Sequence, residues 1–298
     1  MTPMQNYRIL SFYVVLWSVL ALVTSLEILQ KPFVAVWNAP SAVCEERFGV
    51  VLNLSMFDIV SNTGQTLNGN DMVIFYEPKL GLYPQILANG TFVNGGLPQL
   101  ADFSRHFDKS KHDIENIIKN TTFSGLVVID WESWRPIFKR NLYNKEQKRY
   151  VELSIKYVKQ SHPQWNHQKV QEVAEYKFEM AARFLMEGTI SLGKQIRPVG
   201  NWGFYGFPAC YNHRPGESHC TNDTMEYNDR LSWLFAGSTS LYPSIYLDND
   251  VSDDNKLQVG GILRESLRVR DIYSSYTPIY AYTRYRYRES EQFYNTVH

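Results

Sequence analysis

The stretch GLVVIDWESWRPIF (residues 125–138) runs from a β-branched segment straight into two carboxylates. Val127, Val128 and Ile129 favour a buried β-strand. Side chains alternate in direction along a strand, so Asp130 and Glu132 are expected to point the same way while Trp131 points the opposite way. The pattern therefore predicts a pair of carboxylates on one face, at the carboxyl end of a strand.

Strand and helix patterns alternate along the rest of the chain. Short apolar runs predict strands at 33–37, 72–76, 125–130, 198–206, 243–247 and 278–282. Apolar residues at helical spacing predict helices at 145–160, 167–193 and 256–272. Such alternation is typical of parallel strands joined by right-handed crossovers. We therefore predict an α/β fold, a distorted TIM-like barrel, with a doubly wound open sheet as the alternative.

The composition excludes several classes of partner. The 298 residues carry 30 basic and 30 acidic side chains, so no overall charge attracts nucleic acid or a membrane surface. No Gly-rich phosphate loop is present, which disfavours a nucleotide-dependent enzyme, and we expect neither a cofactor nor a bound metal. Aromatic residues make up 14% of the chain, including 20 Tyr and 7 Trp. They fill either a Tyr-rich core or a cleft of flat rings that stack on sugars.

The amino-terminal segment predicts secretion. Residues 9–23 form an apolar run that follows Arg8 and precedes small side chains, so residues 1–25 are expected to be a signal peptide and 26–298 the barrel domain. The alternative, an uncleaved anchor, needs a longer apolar run of about 20 residues. The predicted product is a secreted monomer with no stable membrane association.

Cysteines and glycosylation motifs fit an extracellular protein. Cys210 and Cys220 flank a polar, turn-rich loop that could close as a disulfide, which leaves Cys44 without a partner. Four Asn-x-Ser/Thr motifs are candidate N-glycosylation sites, at Asn53, Asn89, Asn120 and Asn222.

The carboxylate pair is the candidate catalytic centre. Two neighbouring carboxyls at a barrel mouth repel each other, so one of them should keep its proton and act as a general acid. Glycoside hydrolysis needs such an acid, and a 2-acetamido group on the sugar can replace the second carboxylate as nucleophile. The simpler interpretation is structural, with the carboxylates capping a helix or pairing with Arg135.

Several segments together resemble the hyaluronidase family of glycoside hydrolases, which includes bee and wasp venom enzymes and mammalian relatives. The resemblance spans about residues 33–285 and is carried by GLVVIDWESWRPIF, NGGLPQL (94–100), NWGFYGFPACYN (201–212), NDRLSWLF (228–235) and YPSIYL (242–247). It implies a TIM-like barrel and retaining hydrolysis of hyaluronan at the β-1,4 linkage after N-acetylglucosamine, and chondroitin is a second candidate substrate.

The resemblance also implies roles for individual residues. Glu132 matches the family's proton donor, and Asp130 matches the partner that orients and stabilises the substrate's acetamido group. The remaining positions that match the substrate groove are Tyr76, Glu77, Arg135, Tyr205 and Tyr246. Glu77 stands where venom enzymes carry Asp, and Arg135 could bind the glucuronate carboxylate as well as pair with a catalytic carboxylate.

The resemblance predicts a chain shorter than its family. Members of the family continue into a final strand, a closing helix and a cysteine that pairs with the position of Cys44, and these are expected to be missing here. An inactive, truncated protein that binds polysaccharide without cutting it is therefore one alternative, and a chitinase-like enzyme is another. The stretch TRYRYRE (283–289) has no confident counterpart in the family.

Overall fold

The computed structural model describes residues 33–56, 58–248, 252–288, 290 and 292–294. The predicted signal peptide, residues 1–25, lies outside the described residues. The strands are β1 (Ala35–Trp37), β2 (Ile59–Ser61), β3 (Met72–Tyr76), β4 (Gln85–Ile86), β5 (Phe92–Val93), β6 (Leu126–Asp130) and β7 (Asn201–Phe204). The helices are α1 (Ala42–Phe48), α2 (Phe103–Ile117), α3 (Lys145–Ser161), α4 (His167–Ile196), α5 (Asn222–Asp229), α6 (Ser232–Gly237) and α7 (Ser252–Tyr273).

The centre of the fold is a parallel sheet in the order β3, β6, β7. Its register places Tyr76 beside Asp130 and Ile129 beside Phe204. Single parallel bridges extend the row beyond β7, from Tyr205 to Tyr242 and then from Leu241 to Ile279. A separate parallel pair joins β1 to β2. The strands of these two sheets are therefore parallel, whereas β4 and β5 form a separate antiparallel pair, and no closed ring forms among the described strands.

Two predicted strands are reduced to isolated bridges. Residues 243–247 and 278–282 make pairs such as Ser244 with Tyr282, but no continuous ladder. Pro243 and Pro278 have no backbone N–H to contribute to a ladder, although both carbonyls accept hydrogen bonds from neighbouring segments. The prediction of full strands at these two places was wrong, whereas their parallel placement agrees with the barrel interpretation.

The two faces of the sheet bury different residues. On the outer face Val127 and Ile129 belong to the large apolar cluster that also contains Ile114 of α2 and Phe178 and Leu185 of α4. On the inner face lies a small cluster composed of strand and loop residues, namely Ile74, Val128, Tyr205 and Tyr242 with Leu67, Leu126, Tyr246, Tyr280 and Tyr282 against it. Helices on one face only are typical of a barrel and argue against a doubly wound sheet.

A glycine makes room for the inner tyrosines. Gly203 lies in β7, and a Cβ atom there would lie 2.1 Å from the carbonyl oxygen of Ser240 and 3.0 Å from the ring of Tyr242. No larger residue fits without moving the backbone of the neighbouring segment. The tight approach lets the buried Tyr242 ring pass across the inner face, where its hydroxyl donates to the carbonyl of Asn201 at 2.6 Å.

Candidate functional site

The predicted site residues meet at the carboxyl ends of the parallel strands. Tyr76 ends β3 beside Asp130, which ends β6, and Tyr205 directly follows β7. Alternation along β6 places Asp130 on the same face as Val128, whereas Trp131 is 2% exposed on the other face. The ring of Trp131 packs 4.8 Å from that of Tyr83. The sequence prediction of opposite directions for Asp130 and Trp131 is therefore confirmed.

The two carboxyls of the pair lie in different environments. Burial, followed by the nearby charges of Glu132 and Glu77, raises the pKa of Asp130 to about 7. The Glu132 side chain is 52% exposed at the open mouth of the site. Asp130 thus holds a proton up to neutral pH, while Glu132 is the carboxyl that is accessible to solvent.

Glu77 supports the loop that carries Glu132. One oxygen of its carboxylate accepts hydrogen bonds from the backbone N–H of Glu132 at 3.0 Å and from the backbone N–H and hydroxyl of Ser133 at 2.8 and 2.7 Å. A carboxylate that accepts three such bonds holds the loop in one conformation. The structure therefore adds a supporting contact to the groove position expected for Glu77.

Arg135 forms the predicted ion pair at the site. Its Nη2 atom lies 3.5 Å from Oε1 of Glu132, and its guanidinium carbon lies 5.6 Å from the centre of the Phe207 ring. The backbone N–H of Arg135 donates to the side chain of Asn141 at 2.7 Å, which fixes the turn after the carboxylate pair. Its Nη1 atom is buried and makes no hydrogen bond within the described part of the chain. This Nη1 donor is therefore unsatisfied among the described residues.

Tyrosines form a wall of the site beside the carboxylates. Tyr205 is 9% exposed, and its hydroxyl donates to the hydroxyl of Ser244 at 3.2 Å. Its ring centre lies 6.2 Å from that of Tyr246 and 5.0 Å from that of Tyr282. Burial is the main cause that raises the pKa of Tyr76, Tyr205 and Tyr246, and the nearby charge of Asp130 adds to each. All three hydroxyls are therefore neutral hydrogen-bonding groups at physiological pH.

Tyr282 belongs to this wall and was missing from the sequence prediction. Its pKa is raised by burial, then by its neighbours, which include Tyr246, Asp130 and Tyr76. Its hydroxyl accepts a hydrogen bond from Nδ2 of Asn38, just after β1, at 2.8 Å. Tyr282 is the last residue of the predicted strand 278–282, and its position at a strand's carboxyl end is the signal that could have identified it.

The disulfide prediction is confirmed, and the candidate glycosylation sites are accessible. Cys210 and Cys220 are bonded with a Cα–Cα distance of 4.9 Å, while Cys44 is a free thiol. The four candidate asparagines are all exposed, at positions Asn53, Asn89, Asn120 and Asn222. Across the described residues, no helix has the length and apolar character needed to cross a membrane.

Comparison with known families gives a match over nearly the whole chain. The sequence model of the hyaluronidase family matches residues 24–298. Hyaluronidase of Echis ocellatus is 40% identical over 266 residues, which cover 85% of this chain and 58% of that protein. Hyaluronidase-1 of Homo sapiens is 44% identical over 233 residues, which cover 77% of this chain and 53% of that protein. The chain thus spans a little more than half the length of these relatives.

A solved structure shares the fold. The crystal structure of bee venom hyaluronidase in complex with a hyaluronic acid tetramer matches with a TM-score of 0.79 and 34% sequence identity. The match covers 86% of this chain and 81% of that one. The predicted fold class, a distorted TIM-like α/β barrel, is confirmed by this likeness together with the parallel order of the described strands.

Proposed function

The chain belongs to the hyaluronidase family, and from that premise we propose that it is a glycoside hydrolase that cuts hyaluronan. The proposed reaction is hydrolysis of the β-1,4 linkage after N-acetylglucosamine with retention, and chondroitin is a possible second substrate. The observation that carries the proposal is the pair Asp130 and Glu132 at the inner mouth, faced by Tyr76, Tyr205 and Tyr246.

The pair supplies the acid for the first step. Because repulsion and burial favour one shared proton, the substrate meets one protonated and one ionised carboxyl. In the proposed step the proton that rests on Asp130 passes to Glu132, and the exposed Glu132 side chain donates it to the glycosidic oxygen. As the C1–O bond breaks, the acetamido oxygen of the substrate bonds to C1 and closes a five-membered ring.

The second step restores the enzyme. Glu132, now a carboxylate, takes a proton from water, and the water oxygen attacks C1 and opens the ring on the face that the leaving sugar occupied. Two inversions at C1 give net retention. Asp130, deprotonated while Glu132 carries the acid proton, stabilises the positive charge that develops on the acetamido nitrogen. No second protein nucleophile is needed.

The surrounding residues orient the substrate. We assign positioning of the acetamido group to Tyr205, and contacts with the sugar rings to Tyr76 and Tyr246. We assign binding of a glucuronate carboxylate to the partly exposed Arg135 side chain, whose Nη2 atom also steadies Glu132. Glu77 keeps the catalytic loop in place and lies beside the groove.

Replacing the acid tests the proposal. Glu132→Gln should lower hyaluronan turnover by about 10²- to 10⁴-fold, the usual contribution of a general acid. Its melting temperature should stay unchanged, because the Glu132 side chain is half exposed. Glu115→Gln, on the exposed surface of α2, is the matched control and should behave as the parent chain does. Turnover is measured by the shortening of hyaluronan chains, after a cooperative melt has shown that each variant folds.

Two outcomes would overturn the proposed activity. Undiminished turnover in Glu132→Gln would remove the acid from the mechanism. A folded parent chain that binds hyaluronan but never shortens it would be the polysaccharide-binding protein of the alternative prediction.

A chitin oligomer serves as the comparison substrate, since it carries the acetamido group but no carboxylate. Preferential cleavage of chitin would favour the chitinase-like alternative.

We also propose the cellular setting that the sequence predicts. Residues 26–298 would form one glycosidase domain, released as a secreted monomer after removal of residues 1–25. The exposed glycosylation motifs and the disulfide between Cys210 and Cys220 support an oxidising compartment. Amino-terminal sequencing and light scattering of the protein recovered from the medium of expressing cells test the cleavage site and the monomeric state.

A further inference from the structure

Arg284 lies at the edge of the tyrosine wall. Its guanidinium carbon is 5.3 Å from the centre of the Tyr246 ring, and that of Arg288 is 5.8 Å from the same ring. Tyr246 in turn faces Tyr205, and both Arg284 and Asp130 act electrostatically on its hydroxyl. Arg284 therefore belongs to the same cleft as the carboxylate pair.

A hairpin holds this segment in place. The backbone N–H of Tyr287 donates to Gln292 at 3.1 Å, and that of Tyr294 donates to Tyr285 at 3.0 Å. The N–H of Arg288 donates to the carbonyl of Leu247, the residue after Tyr246, at 2.8 Å. The hairpin is thus attached directly to the loop that carries the cleft tyrosine, which fixes Arg284 relative to the site.

The three arginines around the cleft differ in their ion pairs. Arg135 lies 3.5 Å from Glu132, and Arg288 lies 3.5 Å from Asp248. Arg284 is partly buried, and no carboxylate of the described residues lies within ion-pair distance of it. A partly desolvated guanidinium without an anion is unfavourable, and it becomes favourable when an anion binds.

We propose that Arg284 is a substrate-recognition residue that binds the carboxylate of a glucuronate neighbouring the N-acetylglucosamine at Tyr205. The inference rests on the proposed function, since hyaluronan alternates these two sugars. In this arrangement the Tyr246 ring supports the guanidinium from one side, and the carboxylate accepts its N–H groups from the other. Arg284 then selects polysaccharides that carry a carboxylate next to the acetamido sugar.

Binding to matched ligands tests the role of Arg284. Hyaluronan oligosaccharides are titrated calorimetrically into the Glu132→Gln protein with and without Arg284→Gln. The same oligosaccharides with every carboxyl reduced to an alcohol serve as neutral ligands. We expect Arg284→Gln to weaken binding of the charged oligosaccharide about tenfold, the effect of one charge-assisted hydrogen bond, and to leave binding of the neutral one unchanged.

The matched control is another arginine that lies on an aromatic ring. Arg183 lies 5.6 Å over the ring of Trp233 and pairs with Glu187 on α4, outside the cleft. Arg183→Gln should change neither titration. If Arg284→Gln weakened the binding of both ligands equally, Arg284 would only hold the Tyr246 ring in place. If it weakened the binding of neither ligand, Arg284 would contact no substrate carboxylate. Both results would overturn the inference.

Kinetics separate this inference from the proposed function. With Glu132 intact, Arg284→Gln should raise KM for hyaluronan about tenfold and change kcat less than about twofold. A parent chain that binds the charged oligosaccharide through Arg284 but never cuts it would overturn the activity and support the recognition role. Unchanged KM in an active Arg284→Gln variant would overturn the recognition role and leave the activity standing.

Discussion

The outer and inner faces of the central sheet come from the same strands but have opposite characters. The outer residues Val127, Ile129 and Trp131 are almost completely buried under α2 and α4. The inner residues lead to Asp130 and to tyrosines whose hydroxyls need polar partners. Because side chains alternate along a strand, the outer face supplies apolar burial for stability, and the inner face supplies the polar groups of the proposed active site.

The largest expected effect contrasts one aromatic residue from each face. Trp202 is completely buried on the outer face and stacks 6.2 Å from Phe75. Trp202→Ala should lower the free energy of unfolding by about 3–5 kcal/mol, because it leaves a large cavity. Tyr246→Ala, at the partly exposed inner wall, is the comparison and should cost clearly less. Urea unfolding of both variants measures this difference. Equal losses in the free energy of unfolding would show that the two faces contribute equally to stability.

The next effect concerns the contact between Glu77, directly after β3, and the loop that carries Glu132. Glu77→Ala removes the acceptor of three hydrogen bonds from Glu132 and Ser133. We expect a loss of about 1–2 kcal/mol in stability and a fall of about tenfold or more in hyaluronan turnover, since the acid is no longer held in position. Glu77→Gln keeps an acceptor oxygen and should retain most of the stability and most of the hyaluronan turnover.

Hydrogen exchange at the Ser133 amide gives a readout of Glu77 that does not depend on catalysis. Exchange should accelerate in Glu77→Ala and stay near the parent rate in Glu77→Gln. An unchanged rate in the alanine variant would mean that other contacts hold the loop.

The smallest effect is the pH dependence that the inner face adds to stability. The folded-state pKa of Asp130 is raised from 3.8 to about 7, so the folded protein binds this proton more tightly than the unfolded chain. The stabilisation of the folded state by this proton is fully present below about pH 4 and is lost as the pH rises to about 7. With screening at a partly exposed group, its size is on the order of 1–2 kcal/mol.

Asp130→Asn removes this titration. Its free energy of unfolding should therefore decline less than that of the parent between pH 4 and 7, when both are measured by urea unfolding across that range. Parallel profiles for the two proteins would show that Asp130 does not carry the raised pKa.

The sequence pattern failed to predict one helix for a clear physical reason. Helix α2 was absent from the predicted helices, and two of its buried positions are His106 and Ser110. His106 fits in the core because its ring bonds the Thr189 hydroxyl at 2.9 Å and accepts the N–H of Leu82 at 3.0 Å. Burial lowers the pKa of His106 to about 4, which keeps it neutral. Polar residues satisfied by distant partners hide the apolar period of a helix.

The sequence by itself determined the features that depend on local geometry. Alternation in IDWE separated Asp130 from Trp131, and the nine-residue loop between Cys210 and Cys220 was short and polar enough to predict their disulfide. The helical patterns at 145–160 and 167–193 correspond to α3 and α4 within a few residues. These features follow from side-chain direction and spacing along a few neighbouring residues.

Only the tertiary structure decided which groups meet across the cleft. Burial and neighbouring charges place the resting proton on Asp130, and the Glu77 carboxylate supports a loop more than fifty residues further along the chain. Tyr282 and Arg284 join the site from the last described segment. Desolvation and charge interactions depend on distances in space, and a sequence pattern does not contain those distances.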